Sequence, residues 1–277
     1  MRDTLSQLKR RLAALEPAAP RPAAGRIALG CPALDTALGG GLLRGRLHEI
    51  FAASPAEAST AAGFIAALSS RAADGRHCFW VRQGFAETEA GALHAPGLAA
   101  LGLDPDALIL VRARDGLGVL RAALEALRCP ALGAVIIEPW GEPKALDFTA
   151  SRRLALAAAR SGVTCFLLRL NARLRPSAAA TRWRAAAAPS RPLSVNTSGA
   201  VNTYGAANTS GAANAPGAAC FDIALLRQRA GMAGTSWRLE WDHALRVFNE
   251  APPLSGAVAA LPAGRPAADI LPLARTG

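Results

Sequence analysis

Between residues 46 and 169, short apolar runs rich in β-branched and aromatic residues alternate with amphipathic stretches at helical spacing. "RLHEIF" (46–51), "HCFWVR" (77–82), "ALILVR" (107–112), "GAVIIE" (133–138) and "VTCFLLR" (163–169) have the length and content of strands buried on both faces. "AEASTAAGFIAALSSRAADG" (56–75), "GLGVLRAALEALR" (116–128) and "TASRRLALAAARSG" (149–162) predict helices, and "ETEAGALHAPGLAALG" (87–102) a helix interrupted by Pro96. Few architectures suit such a pattern. A parallel sheet covered by helices on both faces buries the strands and the apolar helix stripes together. After residue 218 the alternation stops, and "AACFDIALLRQR" (218–229), "TSWRLEW" (235–241) and "LRVFN" (245–249) read as antiparallel strands finishing the C-terminal edge. The expected class is α/β, with a mostly parallel sheet.

Around this domain, expected over residues 26–250, lie simpler segments. Residues 1–17 predict an amphipathic helix with Leu5, Leu8, Leu12 and Leu15 on one face. A proline-rich linker, 18–25, detaches it from the core, so it is expected to dock on its own domain, on a second copy or on a partner. An insertion at 194–219 carries four copies of the hexapeptide [VA]-N-x-x-G-A. It is too polar and glycine-rich to bury a core, and a flexible surface insertion is expected. The Pro/Ala-rich tail, 251–277, is expected to be disordered.

No run approaches the roughly 20 apolar residues of a membrane span. The start, "MRDTLSQLKRRLAALEPAA", carries charges throughout and has no apolar signal core, so a cytoplasmic protein is expected. The five cysteines are scattered without a CxxC pair and read as small core residues. His48, His77, His94 and His243 make no ligand spacing, so no metal is expected. Core packing is the expectation for these histidines and for Trp80, Trp140, Trp237 and Trp241.

Charge is unevenly placed. Residues 144–192 hold ten Lys or Arg against one acid, Asp147, which is +9 of the chain's net +11. That clustering calls for an anionic partner, either nucleic acid or an acidic protein surface.

"LHEIFAASPAEAST" (47–60) reads as a buried strand, a turn and a helix start, where a phosphate-cradling loop would sit. The loop pattern is G-x-x-x-x-G-K-[ST]. Here Ala52 replaces the first glycine, Glu57 the second and Ala58 the lysine, while Ser59 keeps a hydroxyl. The glycines let backbone N–H groups curl around phosphates, and the lysine neutralises them. A carboxylate about 4 Å from a phosphate costs on the order of 4 kcal/mol at a surface-like dielectric. No bound nucleotide or other cofactor is expected.

"IALGCPALDTALGGGLLRGRLHEIF" (27–51) resembles the start of a RecA-type ATPase core, matching at Asp35, Gly39 to Gly41, Gly45, Arg46 and Glu49. With "TASRRLALAAARSGVTCFLLR" (149–169) and "PSAAATRWR" (176–184), the chain resembles the ImuA family of inducible mutagenesis proteins over roughly residues 5–250, excluding the repeat insertion. That resemblance implies a RecA-like fold with no catalytic residue. Gln83 and Gly84 stand where the water-activating glutamate would end the second core strand, and the acid Glu138 alone cannot hold magnesium. It also implies a role in SOS translesion synthesis beside an ImuB-like Y-family polymerase homologue and an error-prone C-family polymerase. Residues 139–148 and 170–184 would be DNA-facing loops, the second bringing Arg173, Arg175, Arg182 and Arg184 around Trp183 to single-stranded DNA. A buried Trp183 is the alternative. Arg152 and Arg153, at a helix start, would be held by DNA backbone or by Glu138. In RecA proteins the N-terminal helix docks on a neighbouring subunit, which here implies self-association or contact with RecA. The competing readings are a deviant RecA-like ATPase or recombinase, and a SulA-like cell-division inhibitor.

Overall fold

The computed structural model describes residues 25–190, 217–229 and 233–251. The Leu5, Leu8, Leu12, Leu15 stripe, the linker to residue 24, the insertion up to residue 216 and the tail from residue 252 lie outside the described residues.

The domain opens with a small antiparallel pair, β1 (Arg26–Ile27) and β2 (Leu42–Leu43), with helix α1 (Pro32–Ala37) between them. Asp35 pins this unit, its two carboxylate oxygens accepting the Leu29 and Gly30 N–H groups at 2.8 and 3.0 Å. Gly41 takes φ 110°, and a Cβ there would lie 2.2 Å from the Ile27 carbonyl oxygen, so only glycine fits.

The main sheet follows. In chain order come β3 (Leu47–Ala52), α2 (Ala58–Ala73), β4 (His77–Gln83), α3 (Gly84–Ala90), α4 (Ala95–Ala100), β5 (Leu108–Ala113), α5 (Gly116–Ala126) and β6 (Leu132–Glu138). After these come α6 (Phe148–Ser161), β7 (Thr164–Arg169), β8 (Thr181–Ala187), β9 (Cys220–Gln228), β10 (Thr235–Asp242) and β11 (Val247–Glu250). Among the described residues, nine strands form one sheet in the order β11-β10-β9-β8-β3-β7-β6-β4-β5. The pairings from β8 to β5 are parallel, and those of β9, β10 and β11 antiparallel. The expected class is the one observed.

Alternation along the strands divides the core in two. On one face Ile50, Trp80, Ile136, Phe166 and Trp183 pack with Phe64, Ile65 and Leu68 of α2. On the other, Val81, Val135, Ile137 and Leu167 pack with Val119 and Leu120 of α5 and Leu154 and Ala158 of α6. The parallel strands end on one edge, where open α/β sheets bind ligands.

Two expectations change. Residues 87–102 are not one broken helix. Gly91, at φ 81°, ends α3, and Pro96 stands in the first turn of α4, where its missing N–H costs nothing. Nor is 170–184 all loop, because β8 begins at Thr181 and pairs with both β3 and β9. The alanine run hid this strand, since its propensity is weak and burial between neighbours decides it.

Of the histidines, His48 is core, its ring nitrogens 2.7 Å from Thr181 Oγ1 and 2.9 Å from the Leu43 carbonyl oxygen. His94 and His243 are instead exposed and cap turns, at Gly97 N–H and the Ala100 carbonyl. Trp80, Trp183, Trp237 and Trp241 are buried, and Trp140 is half-buried. The cysteines are free thiols, all buried except the half-buried Cys129. Among the described residues, no helix is long and apolar enough to cross a membrane.

Candidate functional site

The turn from β3 into α2 occupies the phosphate-loop position, and three of its backbone donors are engaged within the protein. Ala53 N–H donates to the Ala185 carbonyl of β8 at 2.9 Å and Glu57 N–H to Ser54 at 3.0 Å. Ala58 N–H donates to the Pro55 carbonyl, and Pro55 has no N–H. Residues Pro55–Glu57 thus close as a 3₁₀ turn. A phosphate nest needs successive N–H groups converging on one point. Glu57 takes a different role from the one its position suggests. Its carboxylate accepts the Ala187 N–H at 2.8 Å, tying the turn to the end of β8. Ser59 is exposed on the first turn of α2. A cavity of about 590 Å³ lies beside the turn, lined by Ala52 to Pro55, Glu142 and Asn171 to Arg173.

Glu138 ends β6 and is 1% exposed. Its Oε1 lies 2.8 Å from Arg82 Nη2 of β4, and its Oε2 accepts Trp80 Nε1–H at 2.7 Å. Arg82 also donates to the Gly91 carbonyl at 3.0 Å. Burial raises the Glu138 carboxyl above its usual range, and the Arg82 charge opposes that shift. A guanidinium from the same sheet therefore neutralises this acid. The expected alternative, Glu138 holding Arg152 or Arg153, does not occur. Gln83 accepts the Trp140 N–H at 3.1 Å and anchors the following loop.

A second buried cluster sits on the opposite face of the sheet. Glu49, in the middle of β3, is 1% exposed. Its Oε2 accepts the Ser177 hydroxyl at 2.9 Å and lies 2.8 Å from Arg182 Nε. The Nε–H does not point along that line, so the pair is an ion contact rather than an aligned hydrogen bond. Arg182 also donates to the Arg175 carbonyl. Arg169, at the end of β7, approaches Glu49 only to 4.0 Å. Its guanidinium stacks over the Phe51 ring at 5.6 Å and makes no hydrogen bond among the described residues.

The predicted DNA-contacting set is accordingly split. Trp183 is 1% exposed, packs edge-on to Phe64 and near Trp237, and donates to Thr181 Oγ1 at 2.7 Å. It is a core residue, and stacking on a base is ruled out in this fold. Arg182 is buried against Glu49 and is not a surface contact. Arg175 is exposed but pairs with Glu142, whose other oxygen accepts the Arg173 N–H at 2.9 Å. That backbone bond, with the Arg175 pairing, holds the Glu142 carboxyl below its usual range. Acids outside the basic window thus neutralise part of it, one of them far away in sequence. Arg152, Arg153 and Arg184 are exposed, with no ion pair or hydrogen bond among the described residues. The N-terminus of α6 and the loop after β7 border a second cavity of about 510 Å³. Among the described residues no His, Cys, Asp and Glu group could hold a metal ion.

The sheet order and the strand–turn–helix at β3 define a RecA-like fold. A solved structure with this fold is the RadB recombinase, which superposes with a TM-score of 0.51 at 14% identity, over 82% of this chain and all of that one. At that identity the likeness concerns the fold alone. No protein-family description matches the chain, and no curated protein matches its sequence.

Proposed function

We propose that this chain is a non-hydrolysing RecA-like accessory protein of SOS-induced, error-prone translesion synthesis, of the ImuA kind. It works in the cytoplasm at the nucleoid. It links an ImuB-like Y-family polymerase homologue to an error-prone C-family polymerase, with single-stranded DNA as a further partner. The observation that carries this reading is the 3₁₀ turn at Pro55–Glu57, where the Glu57 and Ala58 N–H groups bond within the turn and the Glu57 carboxylate holds the Ala187 N–H. The Arg82–Glu138 pair supports it, because the acid that could approach a metal is already neutralised. The exposed Arg152, Arg153 and Arg184 keep a positive surface for an anionic partner.

Calorimetry with Mg-ATP tests the first half. Binding no tighter than about millimolar is expected, a free energy near −4 kcal/mol. Low-micromolar binding, or hydrolysis stimulated by single-stranded DNA, would restore the ATPase or recombinase reading. A pull-down from DNA-damaged cells tests the second half. Recovery of polymerase subunits is expected, whereas cell filamentation on overexpression would favour a SulA-like inhibitor.

A further inference from the structure

The 510 Å³ cavity lies between the start of α6, the end of β7 and the segment leading to β8. Three acids and three cations line it, and they are not used alike. Glu49 accepts from Ser177 and contacts Arg182, Glu142 takes Arg175 and the Arg173 N–H, and Asp147 caps α6 by accepting the Ala150 N–H at 2.7 Å. Every carboxylate in the wall therefore has its partner. Among the cations Arg175 is paired at close range, and Arg169 reaches Glu49 only at 4.0 Å. Lys144 stands exposed at the rim, with no hydrogen bond or ion pair among the described residues.

Arg169 is the decisive group. It is 6% exposed, lines the cavity, and makes no hydrogen bond among the described residues. Glu49 is shared between Arg169 and Arg182 and lies nearer to Arg182, at 2.8 Å against 4.0 Å. The buried cluster of Glu49, Arg169 and Arg182 thus carries one positive charge in excess. A desolvated guanidinium with unused N–H groups has a fork that matches a carboxylate.

We propose that this cavity receives a carboxylate borne on an apolar peptide segment of a protein partner, gripped by Arg169 with Lys144 at the mouth. The wall chemistry selects that occupant. Pro143, Leu146, Phe148 and Pro176 supply apolar surface, and Phe148 is 53% exposed. With Arg182 behind the wall, four cations stand against three acids, and an excess of one charge is too small a trough for a nucleic-acid backbone. One guanidinium that lacks a hydrogen-bonded acceptor and holds Glu49 only at 4.0 Å suffices for one carboxylate. The anion site stands on this geometry, while the choice of a protein partner rests on the adaptor reading.

Calorimetric titration of the full chain with acetyl-Leu-Glu-Leu-Glu-Leu-amide, with its Gln counterpart, with inorganic phosphate and with oligothymidylate tests the proposal. The Glu peptide should bind at least about ten-fold more tightly than the Gln peptide, the difference a charge-assisted fork makes. Arg169→Gln should abolish that difference while leaving Glu49 paired with Arg182, and Lys144→Ala should weaken it. If Arg169→Gln fails to fold, Lys144→Ala, on the exposed rim, carries the comparison. Equal affinity for the two peptides, or binding unchanged in the variants, would overturn the proposal. Displacement of the peptide by oligothymidylate at lower concentration would overturn it too, by making the cavity a nucleic-acid site. A pull-down that recovers polymerase subunits while the Glu peptide fails to bind would sink the site alone. Peptide binding without such recovery would keep the site and remove the adaptor reading.

Discussion

Arg82 and Glu138 are register partners on adjacent parallel strands and meet at 2.8 Å with side chains 3% and 1% exposed. Removing one partner of such a pair leaves a buried, uncompensated charge. Arg82→Ala is therefore expected to cost about 3–5 kcal/mol in denaturant unfolding. Arg82→Met combined with Glu138→Gln keeps an acceptor for Trp80 and should recover most of that loss. A double variant no more stable than the single one would show that the pair is not the source.

His48 gives the fold a pH dependence. Burial lowers its pKa to about 4 from 6.5, against the hydrogen bond to the Leu43 carbonyl. The unfolded chain takes up the proton first, so the stabilisation is complete above about pH 6.5 and is lost as pH falls through 4. The loss should reach roughly 3 kcal/mol. Melting curves from pH 7 to 4 should show it, and a His48→Gln variant should show a flatter profile over that range.

Trp183→Ala separates packing from recognition. A fully buried tryptophan replaced by alanine costs about 3–5 kcal/mol, so the melting temperature should fall clearly. Protein that is still folded should bind single strands as the parent does. An unchanged melt with weakened binding would place the ring outside the core.

Reversing Arg152, Arg153, Arg173 and Arg184 to Glu addresses nucleic acid directly. All four are exposed, so the melting temperature should hold. If they contact about four phosphates, parental affinity should fall with a log–log salt slope near −2.8, and the variant should lose binding. Fluorescence anisotropy at several salt concentrations measures both. Retention of parental affinity would assign this surface to a protein partner.

The strands and helices were legible because apolar period and turn residues agree along most of the domain. The site was less so. "LHEIF", "WVR" and "VIIE" each place a charged or polar residue inside or at the end of an apolar strand, the signal that Glu49, Arg82 and Glu138 are buried and paired. Which residue each meets depends on strand order, and sequence does not carry strand order. Glu49 and Arg182 lie 133 positions apart, yet are direct cross-strand neighbours. Trp183 was ambiguous for the same reason. An Arg-Trp-Arg triplet reads as a nucleic-acid contact in a loop, but alternation in a strand sends the ring and the arginines to opposite faces.

Ala187 and Phe221 are register partners in the β8–β9 hairpin, so the chain leaves and re-enters the sheet at adjoining points. The segment between them has its two ends held by the sheet, whatever its length. Loop closure costs only about 0.6 kcal/mol for each doubling of length. Tandem coding repeats such as the four hexapeptides are prone to gain or lose units during replication. In this position a change in copy number leaves the pairing of Ala187 with Phe221 where it is. The hairpin thus lets the chain between its strands vary in length while both strand ends keep their places in the sheet.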